Sequence, residues 1–292
     1  MEHTLIDFEP NGLQRTRWEL ARDFAVNHVI PAAAAIDRKG EFPWELVEKG
    51  VRAGFTTMLI PAPYGGGGYD NVSDGLVLEE LGAACAGVAT IFGASILGVG
   101  PILLLGSDEQ KKRLLRPITE DSTGRFLCAF AVTESGSGSA ASSGDPAFGV
   151  QSSAHRDGKS YVISGSKRFI SNGTVAKLFS VLARTQRRKS TLDALSFFAV
   201  AEAPRLHVTR VEDKMGQCAC PTAELYFDQV RVPEGNLLGG EGLGVVGFSQ
   251  TICVSGPLVA AICVGLARAG SSSQHTALRR HSGDDVGPVV VW

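Results

Sequence analysis

The sequence predicts an α+β chain in three consecutive stretches, and three observations carry that reading. From residue 11 to about 117, apolar residues recur near the helical period of about 3.6. From about 125 to 232 the apolar runs shorten to strand length and are separated by turn residues. From about 240 the chain turns helical again through Ala267-Arg268, with residues 242–267 uncharged. The chain has 292 residues, close to two domains on length alone. Hydrophobic residues make up 44% and charged residues 20%, a balance that supports a buried core and argues against disorder.

The elements follow in order. Leu13, Ala21, Phe24, Ala25 and His28 fall near one helical face, and Pro31 interrupts the run. Pro43 precedes a short helix over residues 44–51. Pro61 to Tyr64 and the glycines at 65 to 68 are loop. Ser107-Asp108-Glu109-Gln110 spells a capping box, in which the Ser107 hydroxyl and the Gln110 side chain exchange bonds with the first turn. The helix it opens stops before Pro117. Strand candidates are 126–132, 161–164, 178–183, 195–201 and 225–232. Asp157-Gly158 and Asn172-Gly173 are turns of the antiparallel hairpin kind. Gly270-Ser271-Ser272-Ser273 breaks the last helix and leaves an irregular tail. This gives boundaries of 1–120, 121–238, 239–268 and 269–292.

Several function classes drop out. Net charge is −2, and a basic stripe is the minimum signature of a nucleic-acid surface. The four cations between Arg184 and Lys189 read as a solvated loop. The acidic N-terminus has no apolar core of a signal peptide. The six cysteines mostly sit in apolar runs, where reduced thiols behave as small hydrophobes, so a cytoplasmic protein is expected. Cys218-Ala219-Cys220 lacks metal-site spacing, and no metal is expected. Residues 81–107 and 242–267 are long enough to span a bilayer. Both are rich in Gly and Ala and carry Pro101 or Pro257, so they read as buried helices with no membrane span.

Two segments carry chemistry. In Cys128 to Ser139 an apolar run of strand type gives way to small, hydroxyl-bearing residues and glycines, which let backbone approach a ligand closely. In Gly165 to Gly173, Phe169 and Ser171 lie two apart and point to one side of a strand. A ring beside a hydroxyl suits a flat heterocycle with polar edges. Other motifs have plainer readings. Gly242-Leu243-Gly244-Val245-Val246-Gly247 spells a dinucleotide fingerprint, but it lies too far past the strand ending near Pro233 and reads as a flexible helix entry. The four glycines at 65 to 68 lack a P-loop ending. His155 and His207 have no triad partners in view. Glu79-Glu80 reads as a solvated helix face.

Taken in order, these segments resemble the acyl-CoA dehydrogenase family. The residues are Pro61 to Gly68, Gly106 to Lys111, Phe130 to Ser139, Lys167 to Gly173, and the run from Lys214-Met215-Gly216 to Asn236-Leu237-Leu238-Gly239. The resemblance covers residue 11 to Arg268. It implies a helical N-terminal domain, an antiparallel β-barrel-like middle domain and the start of a truncated C-terminal helical domain, in a homo-oligomer. It also implies FAD, with Phe130, Val132, Thr133, Gly138, Ser139, Phe169, Ile170 and Ser171 at the cofactor. Phe169 stands for the family's Trp against the ring face, Ser171 for its Thr, and Phe130 for its Tyr. The reaction implied is α,β-desaturation of an acyl thioester: a carboxylate takes the α-proton and the β-hydrogen leaves as hydride to the flavin.

The sequence departs from the family in two places. The family's catalytic Glu lies beyond Arg268, where this chain reads Ala269 to His275, so no catalytic residue is assigned. Cys253-Val254-Ser255-Gly256-Pro257 stands where family members often carry an acid and an arginine near the thioester. Acyl groups on a carrier protein are therefore as credible as acyl-CoA. Two alternatives stand beside the dehydrogenase: a catalytically incomplete flavin-binding or subunit-interaction remnant, and a flavin-dependent monooxygenase.

Overall fold

A computed structural model describes residues 9–136, 141, 143, 145, 147–186 and 191–281, with backbone alone for 191, 192 and 272–281. The chain begins with α1 (Gly12–Phe24), opened by a capping box between Asn11 and Gln14. A π-helical turn (Ala25–Val29) joins it to α2 (Ile30–Lys39). Pro31 lies in the first turn of α2, and the wider π turn ahead of it absorbs the missing donor, so the rod continues. Then come α3 (Trp44–Arg52), α4 (Asn71–Ala84), α5 (Ala86–Leu105) and α6 (Asp108–Thr119). The capping box at Ser107 and Gln110 forms as expected, with bonds of 3.2 and 2.9 Å. α6 does not stop ahead of Pro117 but runs through it. One lost hydrogen bond near a helix end is outweighed by the burial of Leu114, Leu115 and Ile118.

The loop of four glycines lies at the surface, and its N–H groups are used internally. Gly66 donates to Pro61, Gly67 to Thr57 and Gly68 to Ile60, so no cradle of free donors exists there.

The middle region is one sheet of eight strands: β1 (Leu127–Ala131), β2 (Ser153–Asp157), β3 (Ser160–Ser171), β4 (Ala176–Arg184), β5 (Leu195–Ala201), β6 (Leu206–Val211), β7 (Thr222–Pro233) and β8 (Leu237–Leu238). A short helix, α7 (Thr191–Ala194), precedes β5. The order is β6-β7-β3-β2-β4-β5-β8, with β1 on β4. The expected antiparallel barrel does not close. β8 is two residues long and the chain then leaves the sheet, so β6 and β8 remain as separate edges. The sheet is also mixed, since β1 and β2 both meet β4 in parallel. Asp157-Gly158 turns a true hairpin, with Gly158 at φ 61°. Asn172-Gly173 does not, because β2 lies between β3 and β4. Arg184, expected in a solvated loop, is buried at the end of β4 and donates to the Val150 carbonyl; Arg187, Arg188 and Lys189 lie outside the described residues.

α5 lies directly on β1. A Cβ at Gly98 would sit 2.7 Å from the Ala129 nitrogen, so only glycine permits this approach. The Cys128 N–H donates to the Ser95 hydroxyl, and the Ser180 hydroxyl donates to the Gly98 carbonyl at 2.6 Å.

The last element, α8 (Gly244–His281), corrects two expectations. It passes through Pro257 and through Gly270 to Ser273 instead of ending at Arg268. A helix already nucleated tolerates an interior glycine at a cost of about 1 kcal/mol. It is also not a buried helix. α5 and residues 244–271 are both long and apolar enough to cross a membrane by length and composition, but 67% of α5's most apolar window is buried against 22% of that of α8. Glycines at its start serve close packing rather than flexibility: a Cβ at Gly244 would strike the Leu195 backbone at 2.5 Å, and one at Gly247 would strike the Leu105 side chain. Farther along, Arg268 pairs with Glu79 at 3.1 Å and Glu80 at 2.7 Å. The Trp18 indole N–H also donates to Glu80. Glu80 is therefore a buried joint between helices, not a solvated face.

Candidate functional site

β1 and β3 bring the two chemistry-bearing segments side by side. The Arg168 N–H donates to the Thr133 carbonyl at 2.8 Å. Beneath this contact lies a buried ion pair. The fully buried Lys167 ammonium donates to Glu134 at 2.7 Å and to the Val132 carbonyl at 3.1 Å. The Glu134 carboxylate also accepts the N–H groups of Gln151 at 2.7 Å and Ser152 at 3.0 Å.

Burial works against ionised Glu134, but the Lys167 charge and these hydrogen bonds outweigh it and hold its pKa below the ordinary value. Burial likewise pulls the Lys167 pKa down, offset in part by Glu134. A carboxylate held by several donors is ionised, and at 2.7 Å it keeps the amine protonated.

β3 changes face between Lys167 and Phe169. Tyr161, Ile163 and Lys167 alternate inward, as the strand period requires. Arg168 and Phe169 then oppose the single residue Glu224 of β7, which makes a bulge, and Phe169 takes φ 59°. After the bulge Ile170 points inward, and Phe169 and Ser171 point away from the core.

Phe169 and Ser171 open into a cavity of about 400 Å³. Phe130, Val132 and Thr133 contribute from β1 and the residues after it. Thr90, Gly93, Ala94 and Leu97 of α5 and the apolar side of α8, from Phe248 to Cys263, close the opposite wall. The Phe130 ring stacks between Phe197 and Phe248, at 5.7 and 6.4 Å. The Thr133 N–H and hydroxyl find no hydrogen-bond partner among the described residues. Phe169 is 54% exposed, an unusual state for a phenylalanine inside a strand.

Five of the eight residues expected at the cofactor therefore meet in one cavity: Phe130, Val132, Thr133, Phe169 and Ser171. Ile170 does not. Its side chain is 1% exposed and packs in the core of the sheet, because the bulge places it on the inner face. Gly138 and Ser139 lie outside the described residues.

Sequence reasoning missed the scaffold. The inward alternation from Tyr161 through Ile163 to Lys167 is the signal that could have exposed the buried lysine. Asn172, expected only as a turn residue, is fully buried at φ 60° and donates to the Ile91 carbonyl at 2.8 Å, tying the end of β3 to α5. Thr90 and Gln217 meet at the rim, 2.8 Å apart, with no local signal in either stretch.

A family model for the acyl-CoA dehydrogenase N-terminal domain matches residues 13–122, and the model for the middle domain matches residues 129–230. The chain belongs to the acyl-CoA dehydrogenase family. It is 35% identical over 266 residues to the probable acyl-CoA dehydrogenase YngJ of Bacillus subtilis, covering 90% of this chain and 68% of that protein. Among solved structures it is similar to the butyryl-CoA dehydrogenase of Megasphaera elsdenii, with a TM-score of 0.83, 33% identity, and coverage of 90% of this chain and 68% of that one. It is similar also to an acyl-CoA dehydrogenase complexed with FAD from Bacillus anthracis, with a TM-score of 0.78, 30% identity, and coverage of 89% and 43%. The chain spans about two thirds of the length of the curated relatives it matches.

Proposed function

We propose that this family member is an FAD-dependent dehydrogenase of acyl thioesters, and that the cavity against β1 and β3 takes the isoalloxazine. The observation that carries the reading is the meeting of Thr133, Phe169 and Ser171 in one cavity. The residues fit the group. The cavity volume lies in the range of small-molecule sites, about 300–1,000 Å³. An exposed ring stands ready for stacking, and Thr133, whose N–H and hydroxyl have no partner among the described residues, lines the same cavity. The FAD complex of the Bacillus anthracis relative supports the same cofactor here. Bound there, FAD supplies the acceptor for the hydride removed from the β-carbon.

The chain's own part is to bind, orient and exclude water. Phe169 would stack on the ring, and Thr133 and Ser171 would hold its polar edge. The apolar wall from α5 and α8 keeps an acyl tail dry. Among the described lining residues there is no carboxylate, so removal of the α-proton is assigned to no residue here. The thioester carrier is CoA or a carrier protein. The absence of charge from Cys253 to Pro257 favours keeping both.

The reading carries with it a cytoplasmic homo-oligomer without a membrane span. Unpaired cysteines at 85, 128 and 220 support the compartment, exposed Val246, Val259 and Val264 on α8 support self-association, and Arg268 fastening α8 to α4 supports a protein-packed helix. The test is the visible spectrum of the purified chain during titration with FAD. Uptake with a flavin spectrum is expected; a colourless protein that takes up none overturns the proposal. Bleaching of bound flavin by an acyl-CoA then separates a working dehydrogenase from a binding remnant.

A further inference from the structure

We infer that Lys167 is a positioning residue that acts on the ligand in the cavity through one peptide group, by polarising the Thr133 N–H. The inference rests on the flavin reading for its ligand, but not for its geometry. The Val132 carbonyl and the Thr133 N–H are the two ends of a single planar unit. The Lys167 ammonium holds the carbonyl end at 3.1 Å. The N–H end lies at a residue that lines the cavity and donates to no group among the described residues.

A cation on a carbonyl oxygen draws electron density from the amide nitrogen. The N–H at the far end becomes a stronger donor, by roughly 10–30% for such a chained bond. Burial magnifies the effect, because no water screens a lysine with 0% exposure.

The rest of the local structure keeps this relay aimed. The Thr133 carbonyl is pinned by the Arg168 N–H, so both peptides flanking Thr133 are held. Glu134 fixes the ammonium from the other side and is itself fixed by Gln151 and Ser152. With a flavin in the cavity, the N–H end would donate to an electron-rich ring atom. It stabilises most the state in which that atom carries more negative charge, which for a flavin is the reduced state.

The experiment uses two variants of the full chain. Lys167→Met removes the charge and keeps the length. Lys167→Met with Glu134→Gln removes the orphaned carboxylate as well, so the fold does not depend on an unpaired buried charge. The first readout is the Thr133 amide proton shift in ligand-free protein. It moves upfield in both variants if the relay operates. The second is the flavin equilibrium: in the double variant the reduced form is expected to be disfavoured about tenfold, or about 30 mV for a two-electron couple. A double variant that folds and keeps the wild-type amide shift and potential shows Lys167 to be purely structural and overturns the inference. Should the wild type take up no FAD, the flavin reading fails, while the amide shift still decides the relay.

Discussion

Glu134 and Asp74 are both buried carboxylates, and the chain treats them in opposite ways. Glu134 sits under β1 and β3 with an ammonium and two backbone donors. Asp74, in the first turn of α4, is fully buried and neither oxygen has a partner among the described residues. Burial, with repulsion from Asp70 and only partial relief from Arg17, pushes its pKa up to about 7. Burial alone thus fixes neither charge state nor contribution to stability. The donors that the surrounding elements supply decide both, and here they were supplied beside the cavity and not beneath α4.

The comparison can be broken most forcefully at Lys167. Lys167→Met leaves Glu134 buried and unpaired, and a loss of about 3–5 kcal/mol is expected in urea unfolding at neutral pH. Adding Glu134→Gln should return more than half of it. A single variant as stable as wild type would mean that the pair carries no weight.

pH distinguishes the two acids next. Glu134 has a depressed pKa when folded. Its stabilisation is complete above the unfolded value of about 4.3 and is lost as pH falls through the lower folded value. Asp74 has a raised one. The folded state then holds a proton that the unfolded state has released, so stability declines as pH rises from about 4 toward about 7. Asp74→Asn should flatten that neutral slope and gain on the order of 2 kcal/mol at pH 8, with little change at pH 5. Equal effects at both pH values, read from denaturant midpoints, would refute the assignment.

The smallest expected effect on stability separates scaffold from site. Phe169 holds a left-handed backbone that glycine adopts freely. Phe169→Gly should change stability by less than about 1 kcal/mol while weakening FAD binding severalfold through loss of the stacking ring. A large loss of stability with unchanged flavin affinity would place the ring in the scaffold instead.

Much of the fold was legible because its signals are local. The Ser107–Gln110 box, the Gly158 hairpin and the strand from Leu195 to Ala201 each depend on residues within a few positions of one another. The cavity was half legible. Thr133, Phe169 and Ser171 stood out as small, polar or aromatic residues at the ends of apolar runs. Lys167 and Glu134 did not, because a charged residue in a strand reads as exposed until its inward register is noticed. The bulge that turns Phe169 to the face opposite Lys167 was not legible either, because sequence alone gives no position for a bulge.

What the sequence determined by itself is the succession of helices and strands and the chemistry carried at their ends. Only tertiary structure decided that the sheet stays open, that β2 separates β3 from β4, and that α5 is buried while α8, also long and apolar, shows one side to solvent. The reason is the range of the forces. Capping, periodicity and turn geometry act within one or two turns of chain. Burial, strand order and the pairing of a buried charge depend on groups that arrive from tens of residues away, as Lys167 does for Glu134.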